Sequence, residues 1–190
     1  MKLTKGVLKL AGIPRRYWGE ECCLTTESKE ELKKYCRDEE YIKGCGLFLI
    51  GGNGQGKTWD MCALAKFFLL RDIWVHFARA ADMVDNLRRV EYYSVNETFE
   101  DMYRRIPILI MDDFGKEYRK KTSEYAIVQY DNLLRFRSQE LLPVILSTNL
   151  VVKSLKEIYG NGLFSLLYEC VIPVVYNDKD RRFNNGNTSI

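Results

Sequence analysis

An α/β fold, with a mainly parallel five-stranded sheet wrapped by helices on both faces, is predicted by three features of the sequence. Apolar, β-rich runs recur at 47–50, 73–78, 108–112, 144–148 and 171–175. Helical patterns separate them. The first run leads directly into Gly51-Gly52-Asn53-Gly54-Gln55-Gly56-Lys57-Thr58, a complete G-x-x-x-x-G-K-[ST] loop. Short buried strands alternating with helices argue for a parallel sheet, because crossover helices must cover both of its faces. Of the helices, 60–70 follows the loop, 81–90 sets Val84, Leu87 and Val90 on adjoining turns, and 124–142 stacks Ile127, Tyr130, Leu134 and Leu141 on one face. Ahead of the first strand, Ser28-x-x-Glu31 reads as a capping box opening a charged helix to about residue 42, expected to flank the ligand site.

Each position of the loop has a mechanical reason. Glycines let the backbone curl until successive N–H groups point at phosphate oxygens, and the following helix presents its positive N-terminal end to the same anion. Lys57 would reach the β and γ phosphates, and the Thr58 hydroxyl would coordinate Mg²⁺. The strand before it and the apolar pattern Met61, Leu64, Ala65, Phe68 after it distinguish the loop from an ordinary tight turn. The chain is read as binding a nucleoside triphosphate with magnesium.

Composition bounds the rest. A chain of 190 residues with 46% hydrophobic content suggests a single domain with one substantial core. Its apolar runs are far shorter than the ~18 to 20 residues of a membrane helix, and residues 1–10 lack a signal peptide's uninterrupted apolar stretch. A cytoplasmic protein without a membrane partner is expected. The six cysteines form no C-x-x-C pair and meet only one histidine, so reduced core thiols are favoured over a zinc site. The formal charge of +3 is unevenly spread: Lys2, Lys5, Lys9, Arg15 and Arg16 lie in an acid-free N-terminal stretch, and further basic clusters occur at Arg88-Arg89, Arg104-Arg105, Arg119-Lys120-Lys121 and Arg181-Arg182. These surfaces could contact phosphate backbones or be solvated helix faces.

The third strand ends in Asp112-Asp113. A buried strand would deliver Asp112 beside the metal, and Asp113 would face the γ-phosphate and polarise the attacking water. The fourth strand carries polar groups at its tip, where Asn149 is placed either to hold both γ-phosphate and lytic water or to cap a turn. Phe77, Arg79 and the run 88–93 offer rings beside cations for a single-stranded nucleic acid. Core packing is the favoured reading of Phe77.

Taken together, Ile13-Pro14-Arg15-Arg16-Tyr17-Trp18, the strand and loop at 46–58, Ile110-Met111-Asp112-Asp113-Phe114-Gly115-Lys116-Glu117 and Leu142-Pro143-Val144-Ile145-Leu146-Ser147-Thr148-Asn149-Leu150 resemble the ATPase module of DnaC/DnaI-type replicative helicase loaders. IstB-type transposition helper ATPases share that module. The resemblance spans roughly residues 12–182. It implies an AAA+ fold with a minimal or absent lid, ATP with Mg²⁺, and a nucleotide-dependent homo-oligomer that delivers a hexameric replicative helicase to single-stranded DNA. It divides the chain into a basic N-terminal segment and flanking helix (1–45), an ATPase core (46–182) and a polar tail (183–190). Arg182, in a terminal Asp-x-Arg-like segment, is either a phosphate sensor or part of a surface basic pair.

Two departures stand out. Only about a dozen residues precede Ile13-Pro14, so helicase contact is expected from this short segment, the module surface or another protein, an economy suited to a phage or mobile element. Where the family carries an arginine finger, this chain has Leu166. Either Arg135 or Arg137 substitutes, or hydrolysis in trans is weak. The alternatives to a helicase loader are therefore a transposition helper and a nucleotide-dependent adaptor or inhibitor. A small-molecule kinase lacks any lid or acceptor signature.

Overall fold

The structure, a computed structural model, describes residues 2–25, 28–89, 92–94, 97–116 and 123–177, with the backbone alone at 89, 92–94 and 123. Its centre is a parallel sheet of β1 (Gly46–Gly51), β2 (Val75–Arg79), β5 (Ile108–Asp112), β6 (Val144–Thr148) and β7 (Val171–Tyr176), in the order β2-β5-β6-β1-β7. All five predicted strands are present. Because side chains alternate across a strand, Leu47 and Leu49 enter one core and Phe48 the other. The first core is closed by α3 (Lys57–Leu70), α2 (Glu30–Arg37) and the N-terminal helix α1 (Lys5–Leu10). The second is closed by α4 (Ala80–Arg89), α5 (Phe99–Arg105), α6 (Ser123–Gln139) and α7 (Val152–Cys170). A short hairpin of β3 (Tyr92–Ser94) and β4 (Glu97–Thr98) precedes α5.

The helices differ from their predicted extents for local reasons. Ser28 forms no capping box: Lys29 is the N-cap without a side-chain bond, and Ser28 Oγ instead accepts from the Thr25 amide at 2.9 Å. A capping box forms elsewhere, between Thr98 and Asp101 at the start of α5. Helix α2 stops at Arg37, since Glu39 turns left-handed (φ 51°) into a 3-10 turn, Glu40–Lys43. Helix α6 ends before Leu141 for the same reason: with φ 52°, Leu141 lets the Leu142 amide reach back to the Arg137 carbonyl at 2.8 Å, a Schellman closure.

The N-terminal residues belong to this core. The Phe77 amide on edge strand β2 donates to the Ala11 carbonyl at 2.8 Å, and Gly12 (φ 73°) passes so close that a Cβ there would stand 2.1 Å from the Phe77 carbonyl oxygen. The buried Lys66 ammonium is held by the Gly19 carbonyl at 2.6 Å. Cys22, Cys36 and Cys62 are buried free thiols, and burial pushes Cys22 up to about 11 and Cys36 up to about 12, as reduced core residues require.

Arg137 is buried completely at the opposite end of the sheet from the loop. Its guanidinium donates to the carbonyls of Tyr103, Ile106, Pro107 and Pro143 at 2.8, 2.9, 3.3 and 2.9 Å, tying the end of α5 to the entries of β5 and β6. Burial pushes it down to about 9, and it remains protonated at neutral pH. It is a structural brace, inaccessible to a neighbouring molecule, and the expectation that it could substitute as an arginine finger is corrected. Arg137→Ala should lower unfolding free energy by about 3 kcal/mol in urea melts, because several buried carbonyls lose their donor at once.

His76 is buried against Phe99 and Tyr103. Burial pushes its imidazole down to about 4 from 6.5. Between those values the unfolded chain binds a proton that the folded chain refuses, so stability is full above pH 6.5 and falls as pH drops through the window, by at most about 3 kcal/mol. Urea melts from pH 7 to 4.5 should show this slope in the natural chain and a shallower one in His76→Leu.

Candidate functional site

The carboxyl ends of β1, β5 and β6 meet at one cavity of about 360 Å³. Parallel sheets gather ligands there because loops and helix N-termini converge above the strand tips. After β1 the chain turns through Gly54 (φ 74°) and Gly56 (φ 96°), and α3 begins at Lys57, three residues earlier than its apolar pattern suggests. Asn53, Gly54, Gln55, Gly56, Lys57 and Thr58 all line the cavity. Gly51 is tightly enclosed, since a Cβ there would stand 2.4 Å from Gln55 Oε1 and 2.6 Å from Tyr176 Cβ.

Lys57 is 5% exposed, and its ammonium donates to the carbonyls of Gly51 and Gly52 at 2.7 and 2.6 Å and to Asn149 Oδ1 at 2.6 Å. Asn149 in turn donates through Nδ2 to Asp113 Oδ1 at 3.0 Å. The same Asp113 oxygen accepts from the Lys116 ammonium at 2.7 Å. A continuous polar chain, Lys57–Asn149–Asp113–Lys116, thus runs across the tips of adjacent strands.

Beside it, Thr58 Oγ1 donates to Asp112 Oδ2 at 3.0 Å. The other Asp112 oxygen accepts from the Ser147 hydroxyl and from the Asp113 amide, the latter at 3.1 Å. Asp113 itself is left-handed (φ 62°), and its amide also lies 3.0 Å from Ser147 Oγ. Strand β6 completes the clamp: the Phe114 amide donates to the Ser147 carbonyl and the Thr148 hydroxyl to the Phe114 carbonyl, both at 2.8 Å.

The structure brings Lys57, Thr58, Asp112, Asp113 and Asn149 together. Arg182 and the polar tail lie outside the described residues. Sequence reasoning assigned no role to Ser147, which organises both acids, or to Lys116. It also placed the wrong element at the rim. Helix α2 contributes nothing to the cavity lining, whereas Arg16, Tyr17 and Trp59 do. Tyr17 meets Trp59 edge-on at 6.1 Å, and the Arg16 guanidinium lies 4.8 Å from the Tyr17 ring centre. Burial pushes the Tyr17 phenol up, with Arg16 opposing the shift, so it stays a neutral donor.

The expected DNA contacts fare unevenly. Phe77 is core, as its favoured reading has it. The Arg79 guanidinium binds both Asp82 oxygens at 2.7 and 2.9 Å, which raises its pKa further, and Arg88 lies over Tyr125. Side chains of 89–93 are outside the described set. Leu166 is half-buried against the second core, while Arg135 is exposed and paired with Asp131 at 2.7 Å.

Oxygen donors at Thr58 and Asp112 suit Mg²⁺, and among the described residues no cluster of three or more His, Cys, Asp or Glu could hold a metal ion. No helix among the described residues is long and apolar enough to cross a membrane.

The family described as IstB-like ATP binding protein matches residues 35–165. The replicative helicase loader DnaI of Bacillus subtilis is 29% identical over 125 residues, which are 66% of this chain and 39% of that protein. The chain therefore spans well under half of that relative. Among solved structures, the DnaC helicase loader superposes with a TM-score of 0.73 at 20% identity, covering 86% of this chain and 100% of that one. AMPPCP-bound DnaA from Aquifex aeolicus gives 0.64 at 19% identity, covering 89% and 53%. The fold is that of the AAA+ P-loop ATPases.

Gly51→Ala tests how tightly the loop is held. Its methyl must displace Gln55 or the β7 backbone, and ATP affinity by isothermal titration should fall at least about tenfold while the chain remains folded.

Proposed function

Because the chain belongs to the IstB-like ATP-binding protein family, we propose that it is an ATP-hydrolysing DNA replication protein that loads a hexameric replicative helicase onto single-stranded DNA. The observation that carries the ATPase part is the polar chain Lys57–Asn149–Asp113 beside the Thr58–Asp112 pair. The likeness to DnaI supports the loading part.

In this reading the triphosphate lies on the loop amides, and Lys57 exchanges its carbonyl partners for β and γ oxygens. Thr58 and Asp112 would hold Mg²⁺, whose charge would offset that of the phosphates. Asp113 accepts a proton from the attacking water as its oxygen bonds to the γ-phosphorus and the bond to the β–γ bridging oxygen breaks, leaving ADP and phosphate. Asn149 aligns that water without adding charge. The basic surface of Lys2, Lys5, Lys9 and Arg15, all exposed, is where phosphate backbones or the helicase would meet the module. The protein acts in the cytoplasm as a nucleotide-dependent homo-oligomer, with residues 1–45 as a basic N-terminal segment and flanking helix ahead of the ATPase core 46–182.

One observation favours a second reading. With Leu166 packed against the core and Arg137 buried, neither position can offer an arginine to a neighbour, and the remaining candidate, Arg135, is paired with Asp131, which suits an adaptor that binds ATP and hydrolyses it slowly.

Steady-state ATP hydrolysis with and without single-stranded DNA separates them. The loader reading expects DNA-stimulated turnover that falls about 100-fold or more in Asp113→Asn, and loss of nucleotide binding in Lys57→Ala. Normal affinity and turnover in both variants would remove the site assignment; tight binding without turnover in the natural chain would favour the adaptor.

A further inference from the structure

Lys116 stands apart from the roles assigned above. Its ammonium lies 2.7 Å from Asp113 Oδ1, the oxygen that also accepts from Asn149, and its side chain lines the cavity with Lys57 and the phosphate loop. The backbone puts it there. Asp113 and Gly115 are both left-handed (φ 62° and 99°), and the Lys116 amide closes the turn on the Asp113 carbonyl at 3.2 Å, which folds the lysine back over the strand tip. Gly115 fits there because a Cβ would stand 2.6 Å from Leu150 Cδ1.

The order of groups gives the position a meaning. Lys57 is rooted in the loop that cradles phosphates, and the chain from its ammonium through Asn149 and Asp113 to Lys116 leads outward along the tips of β6 and β5. A triphosphate seated on the loop would project its terminal phosphate toward that outer end. Among the described residues, Arg79 is paired with Asp82 and Arg16 lies over the Tyr17 ring.

We propose that Lys116 is a second, same-chain cation for the terminal phosphate, and that ATP draws it off Asp113 Oδ1, exposing the carboxylate to the attacking water as the substrate arrives. This rests on the ATPase reading above. A terminal phosphate carries more charge and more acceptor oxygens than one shared carboxylate oxygen, and an ammonium with three donors can transfer between them through a bridged state. ADP lacks the terminal group and leaves Lys116 on Asp113. The site thereby distinguishes the two nucleotides, and hydrolysis restores the Lys116–Asp113 pair.

The test is isothermal titration of the full chain with a non-hydrolysable ATP analogue and with ADP, each with MgCl₂, for the natural chain, Lys116→Gln, Lys116→Arg and Lys57→Ala. Lys116 is exposed, so the fold should survive each replacement there. The expected result is that Lys116→Gln weakens the analogue about tenfold and leaves ADP unchanged, that Lys116→Arg restores most of the preference, and that turnover falls with the lost preference. An unaltered ratio of analogue to ADP affinity in Lys116→Gln overturns the proposal, as does faster turnover, which would make the lysine merely a restraint on Asp113. Failure of the natural chain to bind either nucleotide sinks the ATPase reading itself, whereas binding abolished by Lys57→Ala and unaffected by Lys116→Gln sinks only the role of Lys116.

Discussion

The site depends on one buried carboxylate. Asp112 is 6% exposed, a position where an ionised group is tolerated only if its lone pairs are satisfied. They are satisfied by Thr58 from the first turn of α3, by Ser147 from β6 and by the amide of Asp113. Hydrogen bonds to a charged acceptor contribute about 1.5 to 3 kcal/mol each, so these contacts offset much of the desolvation cost. They also join the helix behind the phosphate loop to two strand tips. Thr58, Ser147 and the Asp113 amide share this acceptor, and Asn149 is joined to them through Asp113 and Lys57.

A second constraint acts from the side. The N-terminal segment covers the edge of β2 through Ala11 and Gly12, then delivers Arg16 and Tyr17 to the cavity rim against Trp59. From the other end of the chain, Tyr176 on β7 donates to the buried Asp60 at 2.6 Å and packs on Gly51. The phosphate loop and the first turns of α3 are therefore held between the beginning of the chain and the last described strand. Six residues, 11–16, separate the end of basic helix α1 at Leu10 from Tyr17 at the cavity rim.

Arginines illustrate how little residue type says without burial. Arg135 and Arg137 lie two residues apart on α6, yet one is solvent-exposed beside Asp131 and the other fully enclosed among carbonyls. On a helix, residues two apart point in well-separated directions, and only the packing of α5 and the sheet decides which direction is interior.

The sequence by itself determined the five strands, the place of the glycine-rich loop and the gathering of Lys57, Thr58, Asp112, Asp113 and Asn149, because these follow from apolar runs, glycine spacing and polar residues at strand ends. Signals of that kind are local. It could not determine that Ser147 organises both acids, that Lys116 folds back onto Asp113, or that Arg16, Tyr17 and Trp59 form the rim in place of α2. Ser147 lies 35 residues from Asp112 and Trp59 lies 42 from Tyr17, separations bridged only once the strands stand side by side in the order β2-β5-β6-β1-β7. Helices α2 and α6 end earlier than the sequence predicts for a complementary reason: neither the charged run before residue 42 nor the apolar face that continues to Leu141 marks the left-handed backbone of Glu39 and Leu141.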